Sequence, residues 1–219
     1  MHPFPLCRVF GALWLAVASP LAVAQSVAGP SAVLQATPAA AKTAVAVFAG
    51  GCFWCVESDF DKVPGVLSTT SGYIGGRTQN PTYEQVTYND TGHAEAVRIE
   101  FDPSKVSYRN LVDHLWYTID PTTQDRQFCD VGHSYRSAIF PQTAEQLKSA
   151  LESKAEIEKK KPFKAPIVTE ILPDQKFWPA EEYHQDYYQK NSVRYNFYRY
   201  RCGRDARLKE LWGNQAGKY

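Results

Sequence analysis

Cys52 and Cys55 stand three positions apart in "GGCFWCVE", residues 50 to 57, behind two glycines and on either side of Phe53 and Trp54. That spacing serves several chemistries. Two thiols so placed can exchange a disulfide, supply half of a zinc site or close a structural bond. Equally, one of them can be a nucleophile whose neighbour is cysteine by coincidence. The stretch follows "AVAVFAGG", a short strand running into a glycine turn, and "CFWCVESDFDKV" can open a helix. Cys52 would then sit among the unpaired N–H groups of a helix start, whose dipoles favour the reactive thiolate. A thioredoxin-type pair has the same placement. Against it, Phe53 and Trp54 are bulky for residues that a partner disulfide must approach.

The other cysteines, Cys7, Cys129 and Cys202, stand singly. Zinc would need a second close pair, and Cys129 and Cys202 do not form one in sequence. The histidines at 93, 114, 133 and 184 show no metal-ligand spacing, so no metal is expected. A structural disulfide through Cys129 or Cys202 stays open.

The first 24 residues read as an export signal. Arg8 gives the positive start, "VFGALWLAVASPLAVA" the apolar run and Ala22-Val23-Ala24 the cleavage pattern, which makes Gln25 the expected mature N-terminus and a bacterial periplasm the expected compartment. Nothing later reaches the roughly 18 uninterrupted apolar residues that a span needs, so no membrane is expected for the mature form. Losing Arg8 leaves 23 basic against 23 acidic residues. That balance argues against nucleic acid or an anionic membrane as partner. Losing Cys7 leaves four cysteines, an even count that makes disulfides the default in an exported protein. Residues 25–43, rich in Ala, Ser, Pro and Gly, read as a flexible tether, and 44–219 as one domain able to bury a core without staples.

The elements of that domain must position the thiols. "AEAVRIEF", Ala94 to Phe101, alternates as a strand should, and "YRSAIF", "APIVTEIL" and "VLSTTSGYI" read as further strands. Helices are expected after Ser107, after Thr143, where "TAEQ" forms a capping box ahead of Leu147, Leu151 and Ala155, and over "AEEYHQDYYQKN", with Tyr183 and Tyr187 one turn apart. Lys159-Lys160-Lys161 reads as a solvated helix end. Irregular interleaving of strands and helices points to an α+β two-layer sandwich. The strand phase sets Glu95 on one face with Val97, Ile99 and Phe101. A carboxyl among apolar residues should have its pKa raised, staying protonated near neutrality and able to act as an acid.

The ordered segments "GCFWCVE", "GYIGGRTQNPTYEQV", "TGHAEAVRIEFDP", "DRQFCDVGHSYRSAIF", "WPAEEYHQDYY" and "YRYRCG" resemble the signature segments of the A-type peptide methionine sulfoxide reductases, from about Val45 to Gly203. The resemblance implies a ferredoxin-like α+β fold with a mixed sheet. It also implies a cofactor-free enzyme that reduces methionine S-sulfoxide, in proteins or free, through a cysteine sulfenic acid. By matching position, Cys52 is the nucleophile, Phe53 and Trp54 form the apolar pocket for the substrate methyl, and Glu95, Tyr83 and Tyr135 surround the sulfoxide oxygen. Asp130 matches a further substrate-site position, though an aspartate there can also tie a turn. His93 and His184 fall in matching segments and are assigned supporting hydrogen bonds.

Two departures stand out. Many family members have glycine at the position of Cys55 and glycine-asparagine at Phe128-Cys129. A second thiol must resolve the sulfenic acid, and Cys202 matches the family position that often does so. Cys55 is the alternative or a relay, and Cys129 ranks third. The resulting disulfide would be reduced by a thioredoxin-like protein, and the chain is expected to act as a monomer. The competing readings are a thiol–disulfide oxidoreductase using Cys52 and Cys55, and a non-enzymatic disulfide-stapled binding domain.

Overall fold

Among the described residues, the three longest strands carry the apolar alternation or β-branched residues that favour a half-buried sheet. The computed structural model describes residues 43–218. The expected export signal over 1–24, and all but the last residue of the tether over 25–43, lie outside the described residues. Strands β1 (Ala44–Gly50), β2 (Val66–Ile74), β3 (Ala94–Phe101), β6 (Ser137–Ile139), β7 (Glu170–Ile171) and β8 (Trp178–Pro179) form one sheet in the order β7-β6-β1-β3-β2-β8. β4 (Arg126–Gln127) and β5 (Asp130–Val131) make a separate short ribbon. Only the β6–β7 pairing is parallel; the other pairings in the large sheet are antiparallel.

The helices are α1 (Phe53–Phe60), α2 (Tyr83–Tyr88), α3 (Tyr108–Thr118), α4 (Ala144–Lys160), α5 (Tyr187–Lys190), α6 (Ser192–Arg201) and α7 (Arg204–Trp212). The run β1-α1-β2-β3-α3-β6 with spatial order β6-β1-β3-β2 is the ferredoxin-like topology. Its core lies between one sheet face and the helices, where Phe48, Val97, Ile99 and Phe101 meet Val56, Phe60, Leu111 and Leu115. The other face is smaller: Val47, Ala49, Ile74, Ala96, Ala138 and Phe140 are covered by Leu172 and Phe177.

Helix α1 is buried almost all round, with Glu57, Ser58 and Asp59 as well as its apolar residues out of solvent. The C-terminal helices cover its second side. The Tyr188 hydroxyl donates to Asp61 Oδ2 at 3.0 Å, and Arg199 Nη1 donates to Asp59 Oδ1 at 2.8 Å. The wrap turns at Gly203, whose φ of +68° links α6 to α7 directly after Cys202.

Four expectations are corrected. The apolar face of α4 is not Leu147, Leu151 and Ala155: both leucines are about half exposed, at 43% and 52%, while Ala150, Ser153 and Ile157 are buried. Ser153 is inside because the buried Trp116 indole N–H needs an acceptor, and Ser153 Oγ accepts it at 2.8 Å. The capping box at Thr143 is half formed. Thr143 accepts from the Gln146 N–H, but the Gln146 side chain accepts from Gln142 N–H at 2.8 Å. "AEEYHQDYYQKN" is not one helix. A 3-10 turn at Glu182–His184 and the short α5 are separated at Asp186, which holds a left-handed φ of +52°. "APIVTEIL" contributes only the two residues of β7. The lysine triplet does end α4, where Lys161 Nζ pairs with Glu158 at 2.8 Å.

Candidate active site

Gly51 fixes where the nucleophile candidate sits. Its φ is +82°, and a Cβ there would lie 2.4 Å from Gln127 Cβ, so only glycine turns the end of β1 into α1 without displacing Gln127. Cys52 is therefore the N-cap of α1, as the sequence predicts. The neighbouring N–H of Phe53 does not face the sulfur; it donates to Glu95 Oε2 at 2.9 Å.

That bond brings the end of β3 to the start of α1. Glu95 is 2% exposed, and burial pushes its pKa up to about 8 despite the Phe53 N–H, so it is a neutral acid at pH 7. With Oε2 accepting from the backbone, the other oxygen is the one that can carry the proton. Tyr83 and Tyr135 close the same corner. Their hydroxyls are hydrogen-bonded to one another, and both feel the charge of Glu95 and Cys52. Burial raises the Tyr83 pKa to about 12 and the Tyr135 pKa as well, leaving both as neutral donors.

Cys52 departs from expectation. At 6% exposure, burial pushes its pKa well up, and contact with Cys55 and the charges of Glu95 and Asp130 add to this. Three acidic neighbours and desolvation outweigh the helix-start dipoles, so the resting group is a thiol. Cys55 is buried too, and is hydrogen-bonded to Cys52. That hydrogen bond lowers the Cys55 pKa, helped by Arg204 and Arg199.

One wall of the site is aromatic. Phe53 is buried, its ring 5.9 Å from that of Tyr73 and 4.9 Å from that of His184. Trp54 stacks on Tyr187 with centroids 3.8 Å apart and 9° between planes, and its indole N–H donates to His184 Nδ1 at 3.1 Å. His184 must therefore carry its proton on Nε2, and burial lowers its pKa to about 4, keeping it neutral. Glu181 pins the neighbourhood by accepting from Tyr83 N–H at 2.8 Å and from the Tyr73 hydroxyl at 2.9 Å. His93 lies beside this corner, not in it: its Nδ1 accepts from Gly76 N–H at 3.2 Å.

Asp130 lies on β5 with its pKa raised by burial, and Oδ2 accepts from the Tyr198 hydroxyl. Cys202 is not beside Cys52 as a free thiol. It is bonded to Cys129, 73 positions away, while Cys52 and Cys55 are the free cysteines. Among the described residues, the one cluster with metal-ligating groups is Cys129, Asp130 and Cys202, and its two sulfurs are spent on each other. Arg204 joins this region to the active-site turn. Its guanidinium is buried, donates to Thr118 O at 2.7 Å, lies 3.7 Å from Asp59 Oδ2 and 4.6 Å from the Phe128 ring.

The structure thus brings together Cys52, Cys55, Phe53, Trp54, Glu95, Tyr83, Tyr135 and Asp130, and sets Cys202 beside them in a different bond. Sequence reasoning missed Tyr187, Glu181, Tyr198 and Arg204. The first three fall within or beside the quoted segments, but no spacing rule singles them out.

The chain matches the family described as peptide methionine sulfoxide reductase over residues 44–216. It is 52% identical over 178 residues to peptide methionine sulfoxide reductase MsrA 2 of Rhizobium meliloti, covering 81% of this chain and 87% of that protein. It is also 52% identical over 168 residues, 77% of its length, to peptide methionine sulfoxide reductase MsrA/MsrB of Vibrio cholerae, of which it spans 44%. The solved methionine sulfoxide reductase A of Corynebacterium diphtheriae resembles it with a TM-score of 0.65 and 34% identity, over 75% of this chain and 82% of that one.

Proposed function

The chain belongs to the peptide methionine sulfoxide reductase family and is an oxidoreductase that returns methionine sulfoxide to methionine; from that premise we propose that Cys52 is its nucleophile, Glu95 its proton donor, and Phe53 with Trp54 the wall that holds the substrate methyl. The observation that carries this reading is the meeting of a buried cysteine with a neutral carboxyl across the Phe53 N–H. A sulfoxide oxygen leaves poorly unless protonated, so the nucleophile and the acid must converge on one S–O group.

Cys52 releases its thiol proton as Sγ attacks the substrate sulfur, while Glu95 delivers its own proton to the oxygen and is reprotonated by the one the thiol gives up; the Tyr83 and Tyr135 hydroxyls donate to the same oxygen. Collapse leaves methionine, and the oxygen ends on Cys52 as a sulfenic acid; the substrate sulfur is reduced by two electrons and Cys52 oxidised by two. Asp130, through Tyr198, borders the site next to Trp54. A second thiol then attacks Cys52, forming an S–S bond and releasing the oxygen as water. Cys55, in contact with Cys52, supports that role more directly than Cys202, whose sulfur is engaged with Cys129.

The substrate is the S epimer, in proteins or free, and the final disulfide is reduced by a thioredoxin-like dithiol protein. Residues 1–24 act as an export signal that delivers a mature chain beginning at Gln25 to the periplasm, supported by Arg8, the apolar run and Ala22-Val23-Ala24. The deciding assay incubates the mature protein and dithiothreitol with each sulfoxide epimer and measures methionine. Turnover of the S epimer alone, abolished by Cys52→Ser, is expected; equal turnover of both epimers, or survival in Cys52→Ser, refutes the assignment. N-terminal sequencing of the exported protein checks the cleavage site.

A further inference from the structure

Glu57 takes no part in the steps above, yet it is wholly buried on the active-site helix, one turn beyond Phe53. Neither of its carboxyl oxygens completes a hydrogen bond, although the Asp186 N–H faces it. Burial pushes its pKa up to about 7; the Asp186 N–H pulls the other way, the charges of Asp61 and Asp186 add to the rise, and Lys190 opposes it. The other polar groups around α1 are engaged elsewhere. Lys190 Nζ pairs with Glu182 at 3.0 Å, Lys62 donates to Ser58, and Tyr188 of α5 and Thr69 of β2 both donate to Asp61. Glu95 of β3 accepts from the Phe53 N–H, Arg199 of α6 and Arg204 of α7 face Asp59, His114 of α3 meets the Phe60 ring, and β1 carries no titratable side chain.

What Glu57 faces is a hinge. Gln185 pins the chain just before it, accepting from the Ser71 N–H at 2.9 Å and donating to Ser71 O at 3.0 Å and Ala180 O at 2.9 Å. Asp186 then turns left-handed, and α5 sets out with the Tyr187 ring stacked 3.8 Å from that of Trp54. No residue of α5 is buried, whereas α1 is buried nearly all round, so a disturbance at their contact moves α5 first.

We propose that Glu57 is a positioning residue for the methyl wall: its buried carboxyl seats the Asp186 turn on α1 and so holds the Tyr187 ring flat against Trp54. This rests on the reading above that Trp54 forms that wall. The uncharged carboxyl suits the interior. As pH rises through about 7 it releases its proton, and a buried carboxylate beside Asp61 and Asp186, with Lys190 already paired, pushes the turn off α1. The wall is therefore closed below that pH. Above it α5 loosens, Trp54 loses its stacking partner and the sulfoxide is held less tightly, while Gly51 and the Phe53 N–H keep Cys52 and Glu95 in place.

The test compares the full-length protein with Glu57→Gln, which keeps the shape and cannot ionise, from about pH 6 to about pH 8. In protein carrying nitrogen-15 tryptophan, the Trp54 indole resonance, assigned by its loss in Trp54→Phe, should shift with a midpoint near 7 in the parent and lose that transition in the variant. Glu95 titrates alike in both and cancels from the comparison. Relative to Glu57→Gln, the parent's KM for methionine S-sulfoxide should rise by about threefold or more over this range, a fraction of the roughly 10–200-fold that an apolar pocket gives one carbon group, with the kcat ratio unchanged. Glu57→Ala, which removes the seat, should show the high KM at every pH. An indole transition that persists in Glu57→Gln overturns the proposal and leaves the methyl wall standing. A transition confined to the parent with equal KM profiles overturns the methyl wall itself, and the proposal with it.

Discussion

Replacing Glu95 with glutamine tests the acid assignment by thermodynamics alone. The amide keeps an oxygen to accept the Phe53 N–H but cannot titrate. In the native protein the Glu95 pKa stands at about 8, raised by burial from the ordinary glutamate value of 4.5. Between those two values the folded state holds a proton that the unfolded chain has released, so folding takes up a proton and stability falls as pH rises. The penalty is absent below the unfolded value and complete above the folded one. At about 1.4 kcal/mol per unit, the shift amounts to a loss on the order of 5 kcal/mol, comparable with the whole stability of a small domain. Glu57, whose pKa burial raises to about 7, adds a slope of the same sign, so only the difference between variant and parent isolates Glu95. Urea unfolding of both proteins from pH 5 to pH 9 should show Glu95→Gln gaining on the parent steadily and by several kcal/mol, while its sulfoxide reductase activity falls by about 10²–10⁴. A difference in stability that does not change with pH would mean that Glu95 ionises normally and cannot be the acid.

Other outcomes follow from the same geometry. Tyr83→Phe and Tyr135→Phe should each lower kcat by roughly tenfold or more with KM little changed, because each removes a neutral donor to the developing oxygen charge; steady-state kinetics showing both variants at parental kcat would make these hydroxyls structural. Trp54→Ala should lose about 10-fold or more in kcat/KM, the scale on which an apolar pocket recognises a methyl group, and an unaffected ratio would move the methyl site elsewhere. On α4, Leu151→Glu should stay within about 0.5 kcal/mol of the parent, whereas Ile157→Ala should cost about 2–5 kcal/mol; denaturant melts giving the reverse order would contradict the observed face.

Much of the site was legible because it rests on local rules. Strict alternation in β3 sets Glu95 with Val97, Ile99 and Phe101, and the structure buries that face. A strand, two glycines and a helix start are enough to place Cys52 as an N-cap. Where the rules failed, a distant partner decided. The α4 face followed Trp116, which needed Ser153, against the leucine spacing. The tyrosine spacing around His184 imitates a helix, but Asp186 turns left-handed and presents Tyr187 to Trp54 instead. The Cys52 thiol was misjudged because helix dipoles are visible in sequence and three converging acids are not. No spacing rule pairs Cys129 with Cys202 across 73 positions.

The buried Arg204 has a consequence for genetics. A stop codon or proteolytic nick near Tyr200 looks like a simple way to delete Cys202, yet it also removes the guanidinium that holds Thr118 O and faces Asp59, and the Trp212 indole that donates to Ile119 O at 3.2 Å. Asp59 would lose its buried partner Arg204, and its other partner, Arg199, would stand at the cut end of α6. Inactivity of a clipped chain would therefore report a collapsed active-site helix and say nothing about electron delivery. For this protein, the thiols can be dissected only by exchanging single sulfur atoms in an otherwise full-length chain.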